Sequence, residues 1–322
     1  MKLTDWPKVS IQNQDGISAD AIAPLIISAS RATDIPAFYP EWFIECLDRN
    51  WIEWINPFNG KAQIISFKNT RLIVFWTKNP HPLFPYLQKI RQKGIHILFQ
   101  ITINDYEHEG LEPGVPPLES RIESILELSD RIGRDGVFWR FDPLIISESV
   151  TPEILLGRIE KIGNRIAPAV SRCTVSFLSP YSSVLRRMKQ FGMIPAELTD
   201  EVIKKIGEGL FQLSNKWNLD IVSCAEKKPL HKYGILPGSC IDPVHIVKVF
   251  GNDRHISRFI SQAAQQYSLF MDTEYLQKKL KDPGQRPLCN CMRSKDIGRY
   301  GTCAHGCIYC YANRKTSTAP NQ

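Results

Sequence analysis

The chain of 322 residues contains no run of about 18 apolar residues, so no membrane-spanning helix is expected. Its opening, Met1-Lys2-Leu3-Thr4-Asp5-Trp6, has no apolar core followed by a cleavage site. The expectation is therefore a cytoplasmic, reducing setting in which disulfides are disfavoured. There is no internal repeat and no low-complexity tract. No Gly-x-Gly-x-x-Gly follows the first apolar run, which argues against a dinucleotide-binding sheet. Histidine is scarce, at seven, and none falls at a strand end as the pattern reads. Lys and Arg number 40 against 33 Asp and Glu, a net charge of +7, yet no long basic block occurs. Such scattered charge describes a solvated mixed surface better than a nucleic-acid footprint.

Hydrophobic residues at 43% and charged residues at 23% are ordinary for a globular enzyme. Short apolar runs begin at Leu25, Leu72, Ile97, Val137, Cys173 and Leu219. They are rich in β-branched and aromatic types and suit buried parallel strands. Helical patterns lie between and after them, at 38–50, 82–93, 117–132, 151–166, 199–217, 243–250 and 254–266. Thr199-Asp200-Glu201 reads as a capped helix start. The first 20 residues are weakly patterned and read as a loose start. The alternation predicts an α/β fold: a full or partial (β/α) TIM-like barrel, with a doubly wound open sheet as the alternative. Two units are expected, a catalytic barrel over 1–285 and a cysteine-rich cluster-binding segment over 286–322 packed on the barrel mouth.

Polar residues follow most of the runs, and in a barrel they would converge on one mouth. Arg140 interrupts a buried-looking strand and needs a partner, which Asp142 offers two residues on, along the same face.

Five of nine cysteines fall within residues 289–310, a clustering that points to metal. Cys303, Cys307 and Cys310 form C-x3-C-x2-C. A [4Fe–4S] cluster takes four ligands, so three thiolates leave one iron open. An open iron can bind S-adenosylmethionine, with Tyr309 as an aromatic neighbour for adenine. Zinc is the competing reading, in a ribbon completed by Cys289, Cys291 or His305. Cys224, Cys240, Cys289 and Cys291 make four thiolates for a second, closed centre, against which Cys224 and Cys240 read as inert core residues. Cys46 and Cys173 read as structural.

Several stretches together carry a resemblance. They include Ile27-Ser28-Ala29-Ser30-Arg31-Ala32-Thr33-Asp34-Ile35-Pro36, Asn56-Pro57-Phe58-Asn59, Phe75-Trp76-Thr77-Lys78-Asn79-Pro80 and Trp139-Arg140-Phe141-Asp142-Pro143. Ser223-Cys224-Ala225-Glu226, Ser239-Cys240-Ile241-Asp242 and the segment from Cys289 to Tyr311 complete the set. The chain resembles the family called domain of unknown function 1848 over roughly residues 24 to 314. More distantly it resembles radical S-adenosylmethionine enzymes of the spore photoproduct lyase type. Those enzymes carry the cluster loop after the first barrel strand; here it lies near the C-terminus, as in a circular permutation. Their Gly-Gly-Glu segment is missing, and no Gly-Gly pair occurs. The resemblance implies a [4Fe–4S] cluster and S-adenosylmethionine. Ser30, Arg31 and Asp34 are then expected to grip the methionyl end, and Lys78, Arg140 and Glu226 to line the substrate side.

The leading expectation is an iron–sulfur enzyme using S-adenosylmethionine in radical chemistry, supplied by an electron donor such as flavodoxin or ferredoxin. Its substrate would be a small molecule or a nucleic acid. A zinc-dependent barrel enzyme would need a dense His/Asp/Glu set at the strand ends. A non-enzymatic, metal-containing nucleic-acid-binding protein would need one basic, aromatic face, for which Arg293, Lys295, Arg299, Tyr300, Tyr309, Tyr311, Arg314 and Lys315 are candidates.

Overall fold

A computed structural model describes residues 6–12, 16–57, 59–264 and 273–313. Phe58, Arg314 and Lys315, singled out above, lie outside the described residues. The strands are β1 (Lys8–Gln12), β2 (Ser18–Ile22), β3 (Ile26–Ala29), β4 (Trp51–Ile55), β5 (Ala62–Ser66), β6 (Leu72–Thr77), β7 (His96–Thr102), β8 (Val137–Leu144), β9 (Cys173–Phe177), β10 (Ile221–Ser223) and β11 (Lys295–Asp296).

Seven of them form one sheet in the order β10-β9-β8-β7-β6-β3-β11. Every neighbouring pair in it is parallel. Each of the six apolar runs is one of these strands. Among the described residues the sheet does not close: β10 and β11 are its edges, so the fold is α/β with an open parallel sheet, and no closed barrel forms. The last strand in sequence, β11, pairs with the first strand of the sheet, β3.

Side chains alternate between the two faces of each strand. On one face Ile27, Ile73, Phe75, Phe99 and Trp139 pack beneath the helices Pro40–Arg49, Leu118–Ile132, Pro152–Ile166 and Asp200–Trp217. On the other, Ile26, Leu72, Val74, Leu98 and Phe138 pack with the helices Pro243–Phe250, Arg254–Ala264 and Thr273–Leu280. Two residues further along that second face the types turn polar or aromatic: Ser28, Trp76, Gln100 and Arg140. The strand starts therefore carry core, and the strand ends carry the site.

Within the polar start of the chain, residues 8–12 and 18–22 form strands. Lys8–Gln12 alternates exposed and half-buried positions and pairs antiparallel with β2. The two join β5 and β4 in a four-stranded sheet of order β1-β2-β5-β4. The signal was the alternation Lys-Val-Ser-Ile-Gln, too short to stand out beside the hydrophobic strands. Thr199 caps its helix as its sequence suggests, accepting from the Val202 N–H. Among the described residues no helix is long and apolar enough to cross a membrane.

Candidate functional site

A cavity of about 730 Å³ opens at the C-terminal ends of the parallel strands. Six strands contribute to its wall: Ser30 follows β3, Thr77 and Lys78 close β6, and Thr102 ends β7. Arg140 and Asp142 come from β8, Ser176 from β9 and Cys224 from just beyond β10. The rest of the wall comes from Cys240, the loop around Tyr181 and the C-terminal segment, with Cys289, Cys291, Cys303, Cys307 and Cys310. All seven candidate metal-binding cysteines thus line one cavity.

The loop carrying Cys303, Cys307 and Cys310 leaves from β11 and is held from every side. Thr33 donates its hydroxyl to the Arg299 carbonyl (2.7 Å), and Tyr39 to that of Thr302 (2.6 Å). Trp54 donates its indole N–H to the Gly298 carbonyl (3.0 Å). Arg187, on the helix Ser182–Gln190, reaches the carbonyls of Ile308 (2.6 Å), Asn313 (3.1 Å) and Cys310. Gly114 and His305 exchange contacts: the Gly114 N–H donates to the His305 carbonyl and His305 Nδ1 lies 2.9 Å from the Gly114 carbonyl. A Cβ on Gly114 would stand 2.7 Å from the Ala304 carbonyl oxygen, so only glycine permits this approach. Gly298 is similar, since its Cβ would overlap the Ser30 hydroxyl.

Asp34 is fully engaged in the same framework. Its Oδ1 accepts the Ala37 N–H, and its Oδ2 accepts the Lys78 N–H and lies 2.7 Å from His305 Nε2. It positions the cysteine loop and borders the cavity. Ser30 is likewise used locally, accepting the N–H groups of Ala32 and Thr33.

Beneath the loop lies a buried polar network. Lys78 Nζ donates to Glu112 Oε1 (2.7 Å) and to the Tyr309 hydroxyl (3.0 Å). Tyr309 donates to Glu112, and Asn104 donates to both. Burial raises the Glu112 pKa, but Lys78 and Arg121 outweigh it and hold the carboxyl at about 2. Tyr309 borders the cavity with its hydroxyl anchored inward. The aromatic groups at the mouth are Tyr181 and Tyr311, about half exposed, with Tyr300 beside them; Tyr311 stands 6.2 Å from each of the other two rings.

Burial pushes the Cys303 thiol up to about 11 and that of Cys307 up to about 12. Three thiols within eight residues, on a loop whose carbonyls are clamped, form a donor set that fits three irons of a cubane. Among the described residues, no three His, Cys, Asp or Glu side chains are already drawn around one point as a single-ion shell.

The second set is assembled from three separate parts of the chain. Cys224 Sγ and Cys240 Sγ are 3.4 Å apart. Cys291 is in thiol contact with both Cys240 and Cys289. Arg140 Nη1 donates to Cys240 Sγ at 2.7 Å and Nη2 donates to Asp142. Arg31 lies on the same side. Burial lowers its pKa, but the charges of Cys291, Asp296, Cys240 and Cys289 outweigh that and raise it. The two guanidiniums stand 4.7 and 5.2 Å from the Trp76 ring centroid.

Glu226 is not brought into the cavity wall. Its oxygens accept the backbone N–H groups of Phe177 (2.9 Å) and Lys228 (2.9 Å), a turn-fixing role. Cys46 and Cys173 are fully buried core residues. The sequence reading missed Trp76, Glu112, Asn104, Arg187 and Asp296. Trp76 carries a signal, since it lies two residues from Val74 on the site face. Arg187 and Glu112 carry none, because their roles depend on a loop over a hundred residues away in sequence.

A family model described as a domain of unknown function (DUF1848) matches residues 26–312. No curated protein matches the chain. Among solved structures, the chain is similar to the cellulose synthase subunit Z (CcsZ) from Clostridioides difficile, at 12% identity and a TM-score of 0.27 over 63% of this chain and 81% of that one. A likeness that slight carries no argument. The family match spans nearly the whole sequence, and the chain belongs to the DUF1848 family.

Proposed function

We propose that this member of the DUF1848 family is an iron–sulfur enzyme of the radical S-adenosylmethionine type, with Cys303, Cys307 and Cys310 holding a [4Fe–4S] cluster that keeps one iron open. The observation that carries this reading is the position of the three thiols. They sit on a clamped loop at the C-terminal end of a parallel sheet, facing a cavity of about 730 Å³. The loop follows β11, and β11 lies at the sheet edge beside β3. A loop late in sequence therefore lies beside the first strand of the large sheet in space, which supports the reading of a permuted order.

When bound, the cluster and S-adenosylmethionine supply one-electron cleavage of the sulfonium and a 5′-deoxyadenosyl radical. The chain's own groups bind and orient. Arg187, His305 and Asp34 fix the loop. Tyr181, Tyr300 and Tyr311 offer faces on which an adenine can stack. Lys78, tied to Glu112 and Tyr309, supports the loop from below and supplies fixed positive charge near Cys307. An electron donor of the flavodoxin or ferredoxin class would feed the cluster, and the substrate, a small molecule or a nucleic acid, would enter at the tyrosine-lined mouth.

The two other readings draw less support. The imidazole and carboxylates on the cavity wall are spent on protein partners: His305 on Asp34 and Asp142 on Arg140. That leaves little for a catalytic zinc. The basic set of the nucleic-acid reading divides, with Arg293 over Trp6 at 3.8 Å and Lys295 over Trp54 at 3.4 Å, next to the small sheet. Those two do not line the cavity that the mouth tyrosines border. The test is product formation: anaerobically reconstituted protein with dithionite and S-adenosylmethionine should release 5′-deoxyadenosine. None from protein with a full iron and sulfide count would overturn the reading.

A further inference from the structure

The cavity holds a feature that a single open cluster leaves unexplained. Cys224, Cys240, Cys289 and Cys291 come from three separate segments of the chain and meet at 7, 1, 6 and 2% exposure. Chance packing of small apolar residues accounts for buried thiols. It does not account for what packs on these. Arg140 sets a guanidinium N–H 2.7 Å from Cys240 Sγ. Arg31 lines the same cavity; its Nη1 donates to the Ser28 hydroxyl (3.2 Å) and stands 3.9 Å from the Asp296 carboxylate, while its buried Nη2 has no hydrogen-bond partner. A neutral thiol is a weak acceptor, so although the guanidiniums also meet the carboxylates of Asp142 and Asp296, the N–H that Arg140 aims at Cys240 and the unpaired Nη2 of Arg31 are poorly compensated. A thiolate would give Arg140 a strong acceptor and place negative charge on the wall that Arg31 shares. Four bare thiolates in contact would repel one another strongly, and a bound metal removes that repulsion.

We infer that Cys224, Cys240, Cys289 and Cys291 form a closed, four-thiolate metal centre, distinct from the three-cysteine loop, with Arg31 and Arg140 as its outer cations. A divalent ion with four thiolates, or a doubly charged cubane with four, bears two net negative charges. The two guanidiniums bring positive charge to that side, in part offset by Asp142 and Asp296. With four protein ligands the centre has no vacant position, so its role is structural or electron-carrying and it does not bind substrate at metal. It also gives Arg31 and Arg140 a purpose other than gripping a methionyl carboxylate. The inference does not rest on the radical reading, because the two cysteine sets share no ligand.

The test uses the full chain with Cys303, Cys307 and Cys310 all replaced by alanine, purified anaerobically and loaded with zinc alone or with ferrous iron and sulfide. Metal analysis and X-ray absorption should find metal retained in a shell of four sulfurs at about 2.3 Å. Iron–iron scattering separates a cluster from a single ion, and either is a four-thiolate centre. A folded variant that holds no metal, or a shell containing nitrogen or oxygen, would overturn the inference. Should that variant fail to fold, Cys224→Ser/Cys240→Ser in the wild-type background decides: metal per chain must fall while iron on the three-cysteine loop remains. Unchanged total metal would rule the second centre out. Failure of the radical reading appears elsewhere, as lack of deoxyadenosine with both metal counts intact.

Discussion

The two cysteine sets sit on one cavity but are built in opposite ways. The three-cysteine set occupies eight consecutive residues, and the protein invests in holding the backbone of that loop. Thr33, Tyr39, Trp54 and Arg187 all bind its carbonyls. The four-cysteine set has no common loop. Its thiols touch one another directly, and the groups around them are charged side chains. A centre that must leave one position open needs its ligands held by the chain, because the metal alone does not complete a rigid shell. A closed centre can be organised by the metal itself.

The largest effect should separate them outright. Replacing Cys303, Cys307 and Cys310 by alanine should abolish deoxyadenosine formation and remove one cluster's iron. Loss of all metal in that variant would collapse the comparison into a single centre. Glu112→Gln should act only on the loop side. The Glu112 carboxyl has its pKa lowered to about 2 from 4.5, so its contribution is complete above pH 4.5 and disappears as the pH falls towards 2. At neutral pH that contribution is on the order of 3 kcal/mol. Urea unfolding of wild type and variant across this range should show the gap closing with acid, and a pH-independent gap would contradict the assigned network.

Arg187→Met should cost about 2 kcal/mol, through loss of charge-assisted bonds to three loop carbonyls. It should also lower iron on the three-cysteine loop several-fold, leaving metal on the other four thiols unchanged. Equal loss from both sets would show that the loop's clamp is shared. Glu226→Gln should have the smallest effect, under about 1 kcal/mol. It should leave the rate of deoxyadenosine formation unchanged, since its carboxylate only fixes a turn. A large fall in that rate would return Glu226 to the site.

How much of this was legible in the sequence follows the same division. The six sheet strands announced themselves because their apolar runs are local. The C-x3-C-x2-C spacing is local as well. The small sheet escaped because its strands are half polar, and β11 because two residues, Lys295 and Asp296, carry no strand pattern of their own. Closure of the sheet into a barrel cannot be read from strand count, since it depends on how the edges β10 and β11 are placed. Asp34 and Glu226 looked alike in sequence, as acids after a strand. Only the structure shows that one meets His305 at the cavity wall and the other fixes a turn.

The most direct test of the central claim is the electron paramagnetic resonance spectrum of dithionite-reduced Cys224→Ser/Cys240→Ser protein, reconstituted with iron and sulfide, with and without S-adenosylmethionine. That variant isolates the three-cysteine loop. An open iron predicts a [4Fe–4S]⁺ signal whose g-values shift when S-adenosylmethionine is added. An identical spectrum in both samples, from protein with a full cluster, would contradict it.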